Sequence, residues 1–420
     1  MSGRKEQHTF MRKAISVEEA TKHVLQAVRL MNTEEVPLAE CYGRFLAADL
    51  VAPQPVPHFR RSGMDGYALA AADTVKASMN APVTLNVVDN IPAGTVPQRA
   101  LRAGECARIM TGAAVPDGAD AVIPYEKTAE GGTNAAGFVT CLVKAPVAAG
   151  DNVSPIGMEM ETGETVLRAG TRIGQGEMAL LAMFGAAAVQ VYCRPRVAII
   201  ATGSELLDVH DSLEPGRIRN SNGPMIAAAV TKFGGIPCPL EQVGDDAERA
   251  SEAIMKALAD YDAVVTTGGV SVGDHDIVYD ITRSWDGDLK FNKVMMRPGS
   301  PTTFGVRQGK PLFALSGNPA ACYVGCRLFL RPALRGMMGA ERAAEPRVQA
   351  VLAADYVKSD RFTRFVRGVL TSREGRLEAA PVGRDMSSIT VSLRDANCLI
   401  CLPGSPHGHK AGSLVDVIVL

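Results

Sequence analysis

RVAIIATG (Arg196–Gly203) and, further along the chain, DAVVTTGG (Asp262–Gly269) are short continuous apolar runs that end on glycine. Runs of this length without period-two alternation read as strands buried on both faces. Between them, Met225–Phe233 and Ala247–Ala259 space their apolar residues at helical intervals. A third run, PLFALSG (Pro311–Gly317), leads into a helix expected over Ala320–Leu330. Buried strand alternating with amphipathic helix predicts a doubly wound parallel sheet for this part of the chain.

Upstream, residues 16–31 carry a helical pattern that starts on a capping box, Ser16 with Glu19. From Val51 to Ala149 the texture is β-prone pieces, such as Val83–Val88 and Phe138–Val143, separated by Gly, Pro and Asn. A further helix is expected over Gly176–Phe184. Downstream, Pro332 and Pro346 bracket an expected linker, and Val348–Leu420 returns to β-like alternation. The expected fold class is therefore α/β plus β in a multidomain chain; 420 residues at roughly 150 per domain suggests about three domains.

Composition excludes several function classes. Forty-four Lys and Arg against 45 Asp and Glu give a net charge of −1, so no overall basic field exists to hold nucleic acid or an anionic membrane. The longest apolar run, Met178–Val189, falls short of the ~20 residues needed to cross a bilayer. The N-terminus is basic without an apolar stretch behind it, which leads to an expectation of a cytoplasmic protein. Nine scattered cysteines argue against a disulfide framework. Cys398 and Cys401 form a CxxC with His407 and His409 nearby; buried strand thiols are preferred over a zinc site, because the pair sits inside the apolar NCLICLP. Cys322 and Cys326 read as core on a helix.

In open parallel sheets ligands bind beyond the carboxyl ends of the strands. After the first strand comes TGSEL (Thr202–Leu206), where Gly203 permits a turn and Glu205 offers a carboxylate, unless Ser204 and Glu205 merely start a short helix. After the second comes GGVSVGDHD (Gly268–Asp276). Its glycines Gly268, Gly269 and Gly273 allow backbone approach to an anion beside Ser271, and Asp274 and Asp276 either hold a cation or cap a helix. After the third comes SGNP (Ser316, Gly317, Asn318, Pro319), with Asn318 as N-cap and Pro319 at the first helical position. KVMMRPGSPTTFG adds Lys293 and Arg297. One of Asp245 and Asp246 should cap the helix over Ala247–Ala259, leaving the other available. Together these describe a site for a phosphorylated ligand and a divalent cation. In the β-rich unit, RSGMDGYAL carries Asp65 and RIMTGAA carries Thr111 and Gly112, loops that read as turns first and as binding loops second.

These motifs, in number and order, resemble the molybdopterin molybdenumtransferase family (MoeA and the corresponding E domain of gephyrin): SGMDGYA, IMTGA with PDGADAVIPYE, TGSEL, GGVSVGDHD, RPGSP, SGNP and FVRGVL (Phe365–Leu370). The resemblance covers nearly the whole chain. It implies a discontinuous elongated linker and dimerisation domain (1–45 and 151–190), a β-rich domain (46–150), a doubly wound molybdopterin-binding, MogA-like domain (191–335) and a C-terminal β-barrel-like domain (346–420). It also implies a homodimer whose active site is shared between subunits, so that Asp65 could reach the pocket of Asp276.

By the same resemblance, Glu205, Asp276, Asp65 and Lys293 are expected to be catalytic, and Glu205, Asp245 and Asp276 to hold Mg2+. The substrate-binding set is expected to be Thr111, Thr202, Gly203, Gly268, Gly269, Ser271, Gly273, Arg297, Ser316, Gly317, Asn318, Pro319 and Arg367. The implied reaction inserts molybdate into adenylylated molybdopterin with release of AMP. A molybdopterin-adenylylating protein and molybdoenzyme maturation factors are the implied partners, with no nucleic acid or membrane. Three departures stand out: Arg297 and Ser300 where the family has a KPGKP-like turn, Gly157-Met158-Glu159 where it has Gly-Glu-Asp, and a loose match at Asp385–Ser388. A non-catalytic carrier of the pterin or cofactor, a pterin adenylyltransferase and a scaffold are the rival readings; Glu205 and Asp276 speak against the first, the long β-rich region against the second, and the third rests on fold analogy alone.

Overall fold

The computed structural model describes residues 13–244, 246–269, 281, 285–383, 386 and 390–420. By their contacts these fall into two compact units, one of residues 13–48, 169–179 and 186–420, the other of residues 49–168 and 180–185.

The first unit is built on a six-stranded sheet ordered Ile236–Pro239, Arg196–Ala201, Ala263–Thr267, Lys310–Leu315, Thr303–Arg307, Asp288–Phe291. The first four strands are parallel. The chain leaves Arg196–Ala201 for one neighbour through the helix Asn222–Phe233, then crosses to the opposite neighbour through the helix Ala247–Asp260. That reversal opens a crevice at the carboxyl ends of the central strands. The far edge is antiparallel. There Thr303–Arg307 turns into Lys310–Leu315 through Gln308 and Gly309, both at positive φ as a tight hairpin of this kind requires. This edge escaped the sequence reading, which found only the third buried run.

The helices differ from expectation in their ends. Ser16 caps Val17–Ala27 as the capping box predicts, its hydroxyl accepting from the Glu19 amide at 3.0 Å. Val17, Ala20 and Val24, one face of that helix, are buried against the doubly wound core. Of the two aspartates, Asp246 is the cap, accepting from the amides of Glu248 and Arg249; Asp245 lies outside the described residues. Pro332 does not open a linker. An α-helix over Pro319–Gly325 passes through a π-helical stretch, Cys326–Leu330, into a second α-helix, Arg331–Met337, so the backbone stays helical through Pro332.

The C-terminal strands Val348–Leu352, Thr363–Arg373, Arg376–Pro381, Cys398–Leu402 and Leu414–Val419 close into a barrel, because Thr363–Arg373 pairs with both Arg376–Pro381 and Cys398–Leu402. Strand alternation decides the cysteine question. Cys398 packs inside the barrel with Ile400 and Leu402, whereas Cys401 turns with Leu399 into the doubly wound core, so the two thiols cannot share an ion. His409 Nε2 donates to the Pro403 carbonyl at 2.9 Å.

The second unit carries its own six-stranded mixed sheet, ordered Ala121–Pro124, Gly66–Leu69, Glu105–Ile109, Val83–Ile91, Val139–Val143, Thr128–Thr133. Successive residues of one strand, Ala68 and Leu69, enter separate cores on its two faces. Among the described residues no helix is long and apolar enough to cross a membrane.

Fully buried Phe304 packs on Phe313, with ring centroids 4.9 Å apart, and on Phe291 at 5.5 Å. Phe304→Ala is expected to destabilise the protein by about 3–5 kcal/mol, read as a lower denaturation midpoint in chemical unfolding.

Candidate active site

At the carboxyl ends of the parallel strands the backbone is stitched laterally. Thr202 N donates to Thr267 O at 2.9 Å, Gly203 N to Val243 O at 3.1 Å and Gly268 N to Leu315 O at 3.2 Å. Gly268 has φ +93°, and a Cβ on it would sit 2.2 Å from the carbonyl oxygen of Thr202. No side chain fits there. Buried Asn222 locks the third side, its Nδ2 donating to Thr267 Oγ1 at 2.7 Å and to the Gly317 carbonyl at 2.8 Å.

These segments bound a cleft of about 570 Å³. Thr202, Gly203, Glu205, Gly268, Gly269, Ser316, Gly317, Asn318 and Pro319, all expected from the sequence, line it, joined by Asn222 and by Thr390 from the C-terminal segment. The Glu205 carboxylate folds back over Gly203, whose missing side chain leaves it room. It is the one acidic side chain lining this cleft among the described residues. Asp245, Ser271, Gly273 and Asp276 lie outside them.

Ser316 and Asn318 also line an adjoining cleft of about 390 Å³, whose other walls are the turn Arg297–Pro301, Asp360 and Arg364. Met296–Arg297 is a short strand paired in parallel with Thr363–Arg364, which fixes the turn to the barrel. Asp360 accepts from Arg364 Nη1 at 2.6 Å and stands 3.8 Å from Arg297 Nε. The Arg297 guanidinium lies 5.5 Å over the Phe362 ring and is half exposed, while Asp360 and Arg364 are largely covered. One carboxylate between two guanidiniums leaves this cleft with a net positive charge.

Known proteins match along the chain. The pattern described as MoeA N-terminal region (domain I and II) covers residues 15–185, that of a probable molybdopterin binding domain covers 198–336, and that of the MoeA C-terminal region (domain IV) covers 349–420. Molybdopterin molybdenumtransferase of Bacillus subtilis is 44% identical over 409 residues, 97% of this chain and 95% of that one. The Staphylococcus epidermidis protein of the same name is 42% identical, over 97% and 96% of the two chains. A crystal structure of the molybdopterin biosynthesis moeA protein from Pyrococcus horikoshii OT3 superposes with a TM-score of 0.83 at 31% identity, covering 97% of this chain and all of that one. The chain belongs to the MoeA family.

Its departures from the MoeA pattern now have a physical setting. Ser300 is buried, and its hydroxyl donates to the Val294 carbonyl at 2.8 Å while its own carbonyl accepts from Val294 N at 2.9 Å. It closes the turn and offers no charge; Arg364 brings a second guanidinium to the same cleft. Lys293 lines neither cleft, and its carbonyl accepts from Ile15 N at 3.2 Å. Arg367 is buried in its barrel strand and donates to the Met386 carbonyl at 3.1 Å. Asp360, Arg364, Asn222 and Thr390 were missed because their role depends on pairings remote in sequence. Arg364 did carry a signal, three residues before Arg367 in TRFVRGVL.

In the second unit, Asp65 is exposed and its Oδ1 accepts from both the amide and the hydroxyl of Thr111, each at 2.7 Å. Gly66 must be glycine, since a Cβ would stand 1.9 Å from the Ile123 carbonyl oxygen. Glu159, the carboxylate of the Gly-Met-Glu departure, pairs with Arg61.

The two hydrogen bonds from Thr111, the backbone one foremost, hold the Asp65 carboxyl below its ordinary range. A lowered folded-state value means the stabilisation is present above the unfolded carboxylate pKa and is lost as pH falls through the folded one. Thr111→Val removes the hydroxyl donor and is expected to move the Asp65 titration upward, toward the ordinary value, in an NMR pH titration of the carboxyl carbon.

Proposed function

We propose that this protein inserts molybdate into adenylylated molybdopterin, breaking the phosphoanhydride and releasing AMP. The observation that carries the reading is the pair of adjoining clefts sharing Ser316 and Asn318 in a chain that matches MoeA proteins from end to end. The first cleft suits the phosphoanhydride and the second the oxyanion.

Each end has its chemistry. Glycines at Gly268, Gly269 and Gly317 let phosphate oxygens approach the backbone, and the helix that begins at Pro319 turns its positive end toward the same cleft. Arg297, with Arg364 beyond Asp360, supplies the positive field in which molybdate docks. Holding both substrates across one shared wall converts their encounter into a local event. Water adds to the pterin-side phosphorus as the phosphoanhydride P–O bond breaks, leaving the pterin phosphate with AMP as the leaving group, and the site stabilises the charge that develops on the departing phosphate.

Magnesium belongs to the proposal. The first cleft offers carboxylate, hydroxyl and amide oxygens and neither thiol nor imidazole, a donor set that suits a hard cation. Glu205 would hold it together with Asp276 and Asp245, and the bound ion would supply Lewis-acid polarisation of the anhydride. Asp65, Thr111, Lys293, Ser271, Gly273 and Arg367 enter as further substrate-site residues by their place in the family motifs. So do the four-part domain division, a homodimer that shares its active site, a cytoplasmic setting, and work alongside a pterin-adenylylating protein and molybdoenzyme maturation factors.

Glu205→Gln and Asp276→Asn preserve shape while removing charge. Each is expected to lower single-turnover AMP release from adenylylated molybdopterin by about a hundredfold or more, in proteins whose circular dichroism and melting are unchanged. Full activity in both variants would overturn the assignment.

A further inference from the structure

The helical stretch from Pro319 to Met337 carries a second feature, away from both clefts. Its π-helical segment Cys326–Leu330 joins two α-helices, and such segments mark functional positions more often than ordinary helix does. Arg327, Arg331 and Arg335, four residues apart, converge with Arg172 and Lys232 on a cavity of about 240 Å³. Among its described lining residues the one acidic side chain is Glu345.

Part of this cluster has a structural explanation. Glu345, 5% exposed, pairs with Arg327 and with Arg331 Nε at 2.7 Å. Arg331 Nη1 also donates to the carbonyls of Ala343 and Ala344 at 3.0 and 2.8 Å, and Arg327 Nη2 to that of Val419 at 2.6 Å. This triad ties the helix to the segment before the barrel. It leaves three cations over.

Arg172, Lys232 and Arg335 form no ion pair with an acidic side chain among the described residues. Arg327 and Arg331 are more than nine-tenths buried, and the Nε atoms of Arg327 and Arg335 are buried without a hydrogen-bond partner. Burial, and next the charges of Arg331 and Arg172, bring the Arg335 guanidinium down to about 10. Five cations around one carboxylate repel one another, Arg327 and Arg331 from buried positions and Arg172 and Lys232 from the exposed rim, and a carboxylate at Leu420, which also lines the cavity, would still leave an excess of three. An anion relieves that.

The lining fixes its class. Its charged side chains are N–H donors save Glu345, whose Oε2 is ion-paired with Arg331 Nε at 2.7 Å, so it favours a ligand that only accepts. The volume is below that of ordinary small-molecule pockets and suits a compact ion with its remaining water. None of the residues of the two catalytic clefts lines it. We propose that this cavity binds a tetrahedral oxyanion carrying two negative charges, held by Arg172, Lys232 and Arg335 above the Arg327–Glu345–Arg331 triad.

The test uses the full chain and sodium sulfate, titrated calorimetrically in chloride buffer of matched ionic strength. Because Arg297 is assigned to an oxyanion cleft, three proteins are compared: wild type, Arg297→Gln, and the double variant Arg172→Gln/Arg335→Gln. The expected result is a saturable sulfate site present in wild type and in Arg297→Gln and weakened at least tenfold in the double variant. Phosphate and molybdate are each expected to displace sulfate from that site in Arg297→Gln, and the one acting at the lower concentration names the physiological source. The same titration in the double variant as in wild type, no saturable site in Arg297→Gln, or failure of both competitors would overturn the proposal. Melting without sulfate separates a structural role. Relief of repulsion predicts a double variant that melts at or above wild type, whereas a fall of several degrees would assign the cluster to the fold and contradict a binding site.

Discussion

Two chain segments pass so closely at the carboxyl end of the sheet that a single methyl group would separate them. Gly268 leaves its strand with 2.2 Å between an imagined Cβ and the Thr202 carbonyl oxygen, and Gly317 approaches Gly268 from the other side, its own imagined Cβ 3.4 Å from the Gly268 Cα. The loops after three neighbouring strands are thereby held in one place. The reversal of strand order around Arg196–Ala201 opens the crevice, and this contact sets its floor. Asn222 adds a polar bolt, since a buried amide that bridges Thr267 and Gly317 would be costly to leave unpaired.

Charge is divided along the crevice. Glu205 stands at one end, beside glycines, small hydroxyls and Arg219; Arg297 and Arg364 stand at the other, with Asp360 between them and no further carboxylate among the described lining residues. Ser316 and Asn318 are common to both ends. A ligand with an anhydride at one end and an oxyanion partner at the other matches that gradient, whereas a single compact anion would use only half of it. The barrel is part of the site for the same reason: its pairing with Met296–Arg297 holds the cationic turn in position.

Much of this was legible in the residues. Continuous apolar runs gave three of the four parallel strands, the glycine-rich ends gave the first cleft, and the apolar run NCLICLP placed Cys398 and Cys401 as buried strand thiols. Local signals also located the cap at Ser16 and narrowed the second to Asp245 or Asp246, of which Asp246 is the cap. What stayed hidden depends on partners remote in the chain. Nothing near RPGSP announces a parallel pairing with Thr363–Arg364, and a proline at 332 reads as a break although the helix continues through it just after the π-helical stretch. Asn222 was hidden by a helix start placed three residues late, at Met225, and Asp360 and Arg364 by their position in a barrel that sequence pattern describes only as alternation.

The account rests on coupling between anhydride cleavage and metal insertion across the shared wall of the two clefts. That coupling is measured most directly in wild-type protein by a single turnover of adenylylated molybdopterin, counting AMP released against molybdenum retained in the pterin product as molybdate is varied. The account predicts that both rise together, one for one, and that neither appears without molybdate. AMP released at full rate in the absence of molybdate, or molybdenum inserted with no AMP, would contradict it.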